Sequence, residues 1–320
     1  MQHTTARTAT GALTITLTLI GWSSIPLFLY FFSYQIDAWT SNGWRYGFSA
    51  LLWAPVLIIG ALRGRLPAGL WRAAIVPSIV NCVGQVTFTW AHYKIEPGLL
   101  SFGLRSQMLF AAVGAYLMFA GERRVIRSPV YLLGVAAVLV GTAVAVVKGR
   151  QPLEGAQVEG IVLSVVTGAL FAGYALAVRR YMNSYGAVIA FAAISQYTAA
   201  VMVVLMLVLG CHNGLDVIEM SARDIALLLI SSVIGIALGH VFYYMSIARL
   251  GVAVSSGVLQ LHPFGVAVAS YYVFDEYLTS VQWVSGAVAV FGAVLMLSVH
   301  GRMARRRMRE ASGALSAESG

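Results

Sequence analysis

The chain has 320 residues, of which 59% are hydrophobic and only 10% are charged, and its mean hydropathy is +0.80. Since soluble domains carry about 25% charged residues, this composition excludes a water-soluble enzyme built around a single core. The formal charge of +9 could indicate a nucleic-acid partner, but the basic residues lie between and beyond apolar runs, so we expect no nucleic acid to bind.

Apolar runs long enough to cross a bilayer recur along the whole chain. A hydrocarbon core about 30 Å thick takes roughly 20 apolar residues in a helix. The first run is too long for the hydrophobic region of a signal peptide, so we keep it as a span. The sequence therefore predicts an all-α, polytopic membrane protein with ten transmembrane helices. They are expected at 12–33, 44–62, 72–92, 98–120, 130–147, 159–178, 186–210, 224–246, 251–274 and 279–299.

The basic residues predict the orientation of these spans. An even number of spans places both termini on one side of the membrane. If that side is the cytoplasm, fifteen Lys and Arg residues are cytoplasmic, five, including Arg45, lie on the opposite side, and Arg105 falls inside a span. Because basic loops stay in the cytoplasm, we expect an inner (plasma) membrane protein with cytoplasmic termini. The basic tail, 300–320, is assigned to contact with anionic lipid.

The two halves of the chain resemble each other at an offset of 155 residues. Residues 85–119 align with 240–274 with seven identities, and after a one-residue slip Glu122 falls against Glu276. Five spans per half is an odd number, so the halves must be inserted in opposite directions. We therefore predict two inverted five-helix repeats that meet at a solute site. The predicted repeats are 12–148 and 159–299.

These features resemble the drug/metabolite transporter superfamily, in its ten-helix EamA-type branch. The motifs are a short loop after the third helix of each half, a helix that ends in an acidic residue, and a glycine-spaced last helix. They are 93–98 and 248–251, Glu122-Arg123 and Asp275-Glu276, and Gly134 to Gly141 and Gly286 to Gly292. The resemblance covers 12–299. It implies a central cavity lined mainly by helices 1, 3, 4, 6, 8 and 9, and transport of amino acids, metabolites or xenobiotics, commonly outward.

Arg105 is the candidate residue with the most distinctive chemistry. It lies about seven residues into the predicted fourth helix, roughly 10 Å from the helix end. A lone guanidinium at that depth costs several kcal/mol unless it is paired or hydrated, and the only acidic residues in the predicted spans, Glu159 and Asp224, are the first residues of their spans. Arg105 either faces the cavity and pairs with an anionic solute, or it reaches the membrane surface or helix-end carbonyls.

Further polar residues lie at matching positions of the two halves. The alignment sets His240 opposite Gln85, Gln260 opposite Arg105 and His262 opposite Gln107. Such residues either line one hydrated cavity or join helices by hydrogen bonds. His240 and the nearby tyrosines could gate the path or carry a proton. The candidate substrate-binding residues are Arg105, Gln85, Asn81, Gln107, His240, Tyr244, Gln260, His262, Trp22 and Tyr174.

The sequence predicts a transporter of small metabolites such as amino acids, and an exporter by resemblance, that works by alternating access. A membrane-embedded enzyme, such as a lipid-modifying transferase, would need a clustered nucleophile, base or metal near one surface. A passive channel would show rings of like residues. Neither pattern is present, and there is no GxxxxGK[ST] loop and no zinc-like spacing of cysteine and histidine. We expect no catalytic residue, metal or cofactor.

Overall fold

The computed structural model of the chain describes residues 2–95, 100, 104, 106–147 and 155–274. Beyond these it describes 279–281, 283–288, 291–292, 294–296, 298–299 and 302. Within the described ranges the regular structure is entirely helical. The predicted basic tail, apart from residue 302, lies outside the described residues.

The helices follow one another with short connections, as expected for a membrane bundle. Proline and glycine residues mark several of the ends, because they favour turns over a continuing helix. The helices are α1 Gln2–Phe32, α2 Ala38–Leu62, α3 Leu70–His92, α4 Ser106–Met118, α5 Ala120–Ile126, α6 Pro129–Val147, α7 Gly155–Tyr181, α8 Ala187–Leu209, α9 Ala222–Ser231, α10 Gly239–Leu250, α11 Val252–Val258 and α12 His262–Phe274.

Seven helices within the described residues are long and apolar enough to cross a membrane, or eight if α5 and the first part of α6 form one span bent by 71°. The seven coincide with the predicted first, second, third, sixth, seventh, eighth and ninth spans. The predicted fourth span is described in its second part, as α4, and the predicted tenth span is described only in short helical pieces. The chain is therefore a multi-pass membrane protein, as its composition predicts.

Helix α2 begins at Ala38, well before the predicted start at residue 44. Asp37 caps this helix, because its Oδ1 accepts hydrogen bonds from the backbone N–H groups of Trp39 and Thr40, at 2.9 and 3.0 Å. The sequence analysis placed Arg45 at the outer end of this span, and that assignment is wrong. The added helical turns put Arg45 inside the bundle, where it is 3% exposed.

Asp37 also joins the two halves of the chain at this end of the bundle. Its Oδ2 accepts hydrogen bonds from the Thr40 hydroxyl at 2.6 Å and from the Cys211 backbone N–H at 3.0 Å. Partial burial by itself raises the pKa of the Asp37 carboxyl, but the hydrogen bonds to its charged form outweigh burial and lower the pKa below its usual value. The carboxylate thus holds α2 against the connection that follows α8.

Glu122 makes a second connection between the halves. Its two carboxylate oxygens accept hydrogen bonds from the backbone N–H groups of Val252 and Ala253, at 3.2 and 3.0 Å. These are unpaired donors at the start of α11, directly after Gly251, whose φ is +86°. The sequence analysis singled out Glu122 and the loop at Gly251 separately, and the structure brings them into contact. The corresponding residue Glu276 lies outside the described residues.

The long helical stretch from Ala222 to Leu250 is irregular near its middle. Residues Ser232–Leu238 form a π-helix between α9 and α10. A π-helical turn carries one more residue than an α-helical turn, and such turns are frequent at functional sites. This wide turn faces α1 and α2, which it contacts through small residues.

The glycine-spaced last helices of the two halves contact each other through their backbones. A Cβ atom on Gly134 would lie 2.6 Å from the carbonyl oxygen of Gly292, and a Cβ on Gly292 would lie 2.6 Å from that of Gly134. Glycine allows this approach because it has no side chain, as at other close helix crossings in membranes. Two of the glycines that mark the resemblance, Gly134 and Gly292, are therefore contact points between the two halves of the chain.

We predict that Gly134→Ala destabilises the protein by roughly 1–3 kcal/mol, since the added methyl group meets backbone that cannot easily move. The measurement is thermal unfolding of the purified protein in detergent. Gly121→Ala is the matched control, because Gly121 is also helical and nothing lies within 4 Å of its added Cβ. Equal melting temperatures for the two variants would contradict the proposed contact.

Candidate functional site

A cavity of about 90 Å³ lies in the middle of the bundle between the two halves. Its wall is mostly apolar and aromatic, with a few polar groups, which is the usual character of a small-molecule site. Its lining comes from the predicted helices 1, 3, 4, 6, 8 and 9, and also from the second. The lining residues are Trp22, Ile25, Arg45, Tyr46, Gln85, Phe88, Leu104, Gln107, Phe171, Tyr174, Gly235, Ile236, His240, Tyr243, Leu259 and His262.

Arg45 brings a positive charge to this cavity. Its Nε donates a hydrogen bond to the Ser231 Oγ at 3.0 Å, and its backbone carbonyl accepts one from the Ser232 hydroxyl. These two serines stand at the start of the π-helical turn, so the turn holds the arginine in place. Within the described residues no carboxylate lies within 4 Å of the guanidinium, whose terminal nitrogens make no hydrogen bond. Among the described residues, the donors of the terminal nitrogens are therefore not used by the protein.

Gln85 presents a neutral amide to the cavity. Its Nε2 donates to the Asn81 Oδ1 at 3.3 Å, and the Asn81 Nδ2 donates to the Thr198 Oγ1 at 3.2 Å. These hydrogen bonds use one of the two amide N–H groups of Gln85 and orient its side chain, which lines the cavity. Asn81 was predicted to bind substrate, and the structure places it behind Gln85, where it orients that side chain.

The positions that the internal repeat pairs also lie together in the structure. Gln85 and His240, which align with each other, both line the cavity, and so do the aligned residues Gln107 and His262. The side chain of Gln107 is 8% exposed, and its amide makes no hydrogen bond to another described residue. Of the third aligned pair, Arg105 lies outside the described residues, and Gln260 is described in its backbone but not in its side chain.

His262 meets a backbone carbonyl that a proline leaves free. Pro26 lies inside α1 and has no N–H to give to the carbonyl four residues earlier, which is that of Trp22. The His262 Nε2 approaches this Trp22 oxygen at 3.1 Å. A proline hinge therefore creates the acceptor that anchors His262, so this residue joins the first and ninth predicted helices while it lines the cavity.

Trp22 packs on the π-helical turn through the two glycines of the Gly235-x-x-x-Gly239 motif. Its Nε1 donates to the carbonyl oxygen of Gly235 at 2.8 Å. A Cβ on Gly239 would collide with the same indole nitrogen, and a Cβ on Gly235 would collide with Ile25. The motif is thus a helix contact, and it also shapes one wall of the cavity.

Aromatic rings close one side of the cavity around His240. The imidazole stacks on Phe191 with ring centroids 5.1 Å apart and contacts Trp22 and Tyr174 edge-on at 5.3 and 5.9 Å. Its Nδ1 lies 3.1 Å from the Ile236 carbonyl oxygen. The hydroxyl groups of Tyr174 and Tyr244 hydrogen-bond to each other. Tyr244 does not line the cavity itself, but it packs behind Tyr174 and Phe191. We call Tyr174, Tyr244 and Phe191 the aromatic floor of the cavity.

The residue that the sequence analysis missed is Arg45. Hydropathy starts the second span at residue 44, because the segment before it is polar, so Arg45 falls at the outer end of that span. The signal that could have found it is the cap at Asp37, which starts the helix earlier. Once α2 starts there, its polar residues Thr40, Ser41, Asn42, Arg45 and Ser49 form a buried face.

A separate group of possible metal ligands lies at the end of the bundle that carries Asp37. The ligand atoms of Asp37, Cys211 and Asp216 lie within 4.8 Å of one another. The oxygens of Asp37 already accept four hydrogen bonds from its cap and from Cys211. Asp216 is hydrogen-bonded to His212, at 2.6 Å, which raises the pKa of His212. These contacts stabilise the connection between α8 and α9, away from the cavity.

Comparison with known proteins supports the predicted family. Residues 158–298 match the model of the EamA-like transporter family, which confirms the resemblance to the drug/metabolite transporter superfamily. A solved structure titled "Crystal structure of protein" is similar over 92% of this chain and 99% of its own, with a TM-score of 0.72 and 14% sequence identity. At that identity the likeness shows the fold alone. No curated protein matches the chain.

We predict that Ser231→Ala loosens Arg45, because it removes the only hydrogen-bond acceptor that the described residues offer to the guanidinium. Hydrogen bonds to charged groups contribute about 1.5–3 kcal/mol, so the melting temperature of the purified protein should fall. Ser195→Ala is the matched control, because each serine is buried and donates to the carbonyl three residues earlier. Equal melting temperatures for the two variants would show that the contact with Arg45 adds nothing.

Proposed function

We propose that this membrane protein, whose residues 158–298 match the EamA-like transporter family, moves small metabolites across the membrane by alternating access. In this proposal ten helices form two inverted repeats, and the solute binds in the cavity between them. The family match indicates a transporter rather than an enzyme. Amino acids and related compounds are the solutes that the family resemblance suggests.

The pairing of residues across the repeats supports this arrangement. Gln85 and Gln107 come from the first half, and their aligned partners His240 and His262 come from the second half, yet all four line one cavity. Inverted-repeat transporters place their site where the repeats meet, near the middle of the membrane. We include Arg105 and Gln260 in the proposed site because they align with each other and because Leu104 and Gln107, on either side of Arg105, line the cavity.

The proposed direction and location follow from the sequence. The distribution of basic residues favours an inner-membrane protein with both termini in the cytoplasm, and the basic tail would then meet anionic lipid. Export is proposed because the resembling transporters commonly move their solutes outward. In this orientation Arg45 lies in the outer half of the membrane, and the aromatic floor formed by Tyr174, Tyr244 and Phe191 closes the path to the cytoplasm.

The guanidinium of Arg45, which has no carboxylate partner among the described residues, is the observation that carries the proposal. A buried charge without a partner costs several kcal/mol, so a purely structural protein has no reason to keep one beside a cavity. An anionic group of a solute would pair with it in the two-pronged geometry that guanidinium favours. The same charge would repel small cations, which disfavours a cation channel.

We predict that Arg45→Gln lowers transport at least tenfold, because a charged hydrogen bond to the solute contributes about 1.5–3 kcal/mol. Arg45→Lys keeps the charge and should retain part of the activity. The measurement is counterflow from proteoliposomes loaded with a mixture of amino acids, short aliphatic carboxylates and 3-phenyllactate, with the released solutes identified by mass spectrometry.

Melting temperatures of both variants in detergent serve as the folding control for this assay. Saturable release by the unmodified protein, lost in Arg45→Gln and partly kept in Arg45→Lys, supports transport through this site. Release that rises without saturation would indicate a channel, and chemically altered solutes would indicate an enzyme. Equal rates in all three proteins would remove Arg45 from the site.

A further inference from the structure

The charges around the cavity are unbalanced. Among the lining residues that the structure describes, Arg45 supplies a permanent positive charge, and Asp and Glu are absent from this set. The side chain of Arg45 is 3% exposed, so bulk water does not screen it. A solute that enters must therefore supply the negative charge, and any positive charge on the solute lacks a carboxylate partner within this described lining.

The polar groups near Arg45 are neutral. Gln85 keeps a carbonyl oxygen and one N–H, since its other N–H donates to Asn81, and Gln107 offers an amide with both donors and an acceptor. A hydroxyl group satisfies such partners fully, because it is itself neutral. An ammonium group would bind them less well, since it also feels repulsion from the guanidinium across a space of low dielectric.

The rest of the wall is apolar and aromatic. Trp22, Phe88, Leu104, Phe171, Ile236 and Leu259 surround the polar groups. Burial of apolar surface against such a wall is favourable roughly in proportion to area. The part of the solute that lies away from Arg45 is therefore expected to be uncharged and largely hydrocarbon.

We infer that the cavity selects organic monocarboxylates or similar anions with an uncharged, apolar body, such as aryl- or alkyl-substituted hydroxy acids, over zwitterionic amino acids. This inference rests on the proposed function and deepens it, because it names the charge of the solute. The inferred solutes differ from the amino acids suggested by the family resemblance in one group, because they lack the ammonium.

Three compounds with the same phenylpropyl skeleton test this inference. 3-Phenyllactate carries a carboxylate and a hydroxyl, phenylalanine carries a carboxylate and an ammonium, and phenylalaninol carries a hydroxyl and an ammonium. Binding to the purified, full-length protein in detergent at pH 7 is measured by the ligand-dependent shift of its melting temperature. We expect 3-phenyllactate to bind at least tenfold more tightly than phenylalanine, and phenylalaninol to bind most weakly.

The variants at position 45 link this order to the guanidinium. Arg45→Gln should lose the preference for 3-phenyllactate over phenylalaninol, and Arg45→Lys should keep it. If Arg45→Gln does not fold, the inference is still tested by the order of the three binding affinities, measured on the unmodified protein and on Arg45→Lys. Equal or tighter binding of phenylalanine, no binding of 3-phenyllactate, or an unchanged order in a folded Arg45→Gln would each overturn the inference.

Counterflow with the same three compounds separates this inference from the proposed function. Saturable transport that favours phenylalanine or phenylalaninol would leave the transporter standing and reject the anion selectivity. The expected binding order without any saturable movement across the vesicle membrane would support the selectivity of the site and reject transport. Saturable transport that is fastest for 3-phenyllactate and slowest for phenylalaninol supports both the proposed function and the anion selectivity.

Discussion

The cost of holding a guanidinium inside a membrane bundle constrains much of this structure. Arg45 is buried about 10 Å along α2 from the helix start at Ala38, and its Nε is tied to Ser231. A charge in this position must be paired, hydrated or functional. Among the described residues, the guanidinium receives one hydrogen-bond acceptor and a cavity but no carboxylate, so most of its hydrogen-bonding capacity remains available in the proposed site.

The cavity exists because the backbone around it is irregular. Pro26 leaves the carbonyl of Trp22 for His262, and the π-helical turn at Ser232–Leu238 positions the serines that hold Arg45. Irregular backbone in a membrane is tolerated where it lines a cavity or is covered by protein. Gly239 then lets Trp22 approach this turn without a clash. The irregularity at Pro26 is thus matched by His262, and the π-helical turn is matched by Arg45 and Trp22. These residues together form part of the cavity wall.

Hydropathy was sufficient to predict where helices lie, because a membrane span has a length that the bilayer sets. The internal repeat then indicated which polar residues meet, and Gln85 with His240 and Gln107 with His262 do line one cavity. Arg45 could not be found this way, since hydropathy starts the second span at residue 44 and leaves Arg45 at its outer end, whereas the cap at Asp37 starts α2 at Ala38. The contact between Glu122 and α11 joins residues 130 positions apart, so no local pattern reveals it.

The charge of the cavity also bears on the transport cycle. If the proposed alternating access operates, the cavity is sealed from both sides at some point in each cycle. Sealing it around Arg45 and a bound anion encloses a neutral pair, whereas sealing it empty encloses an uncompensated cation at a higher free energy. The occupied protein therefore crosses this point more easily than the empty one. The same guanidinium that would select the solute thus favours exchange of one anion for another over return of the empty carrier, and net export would then need an anion to travel back.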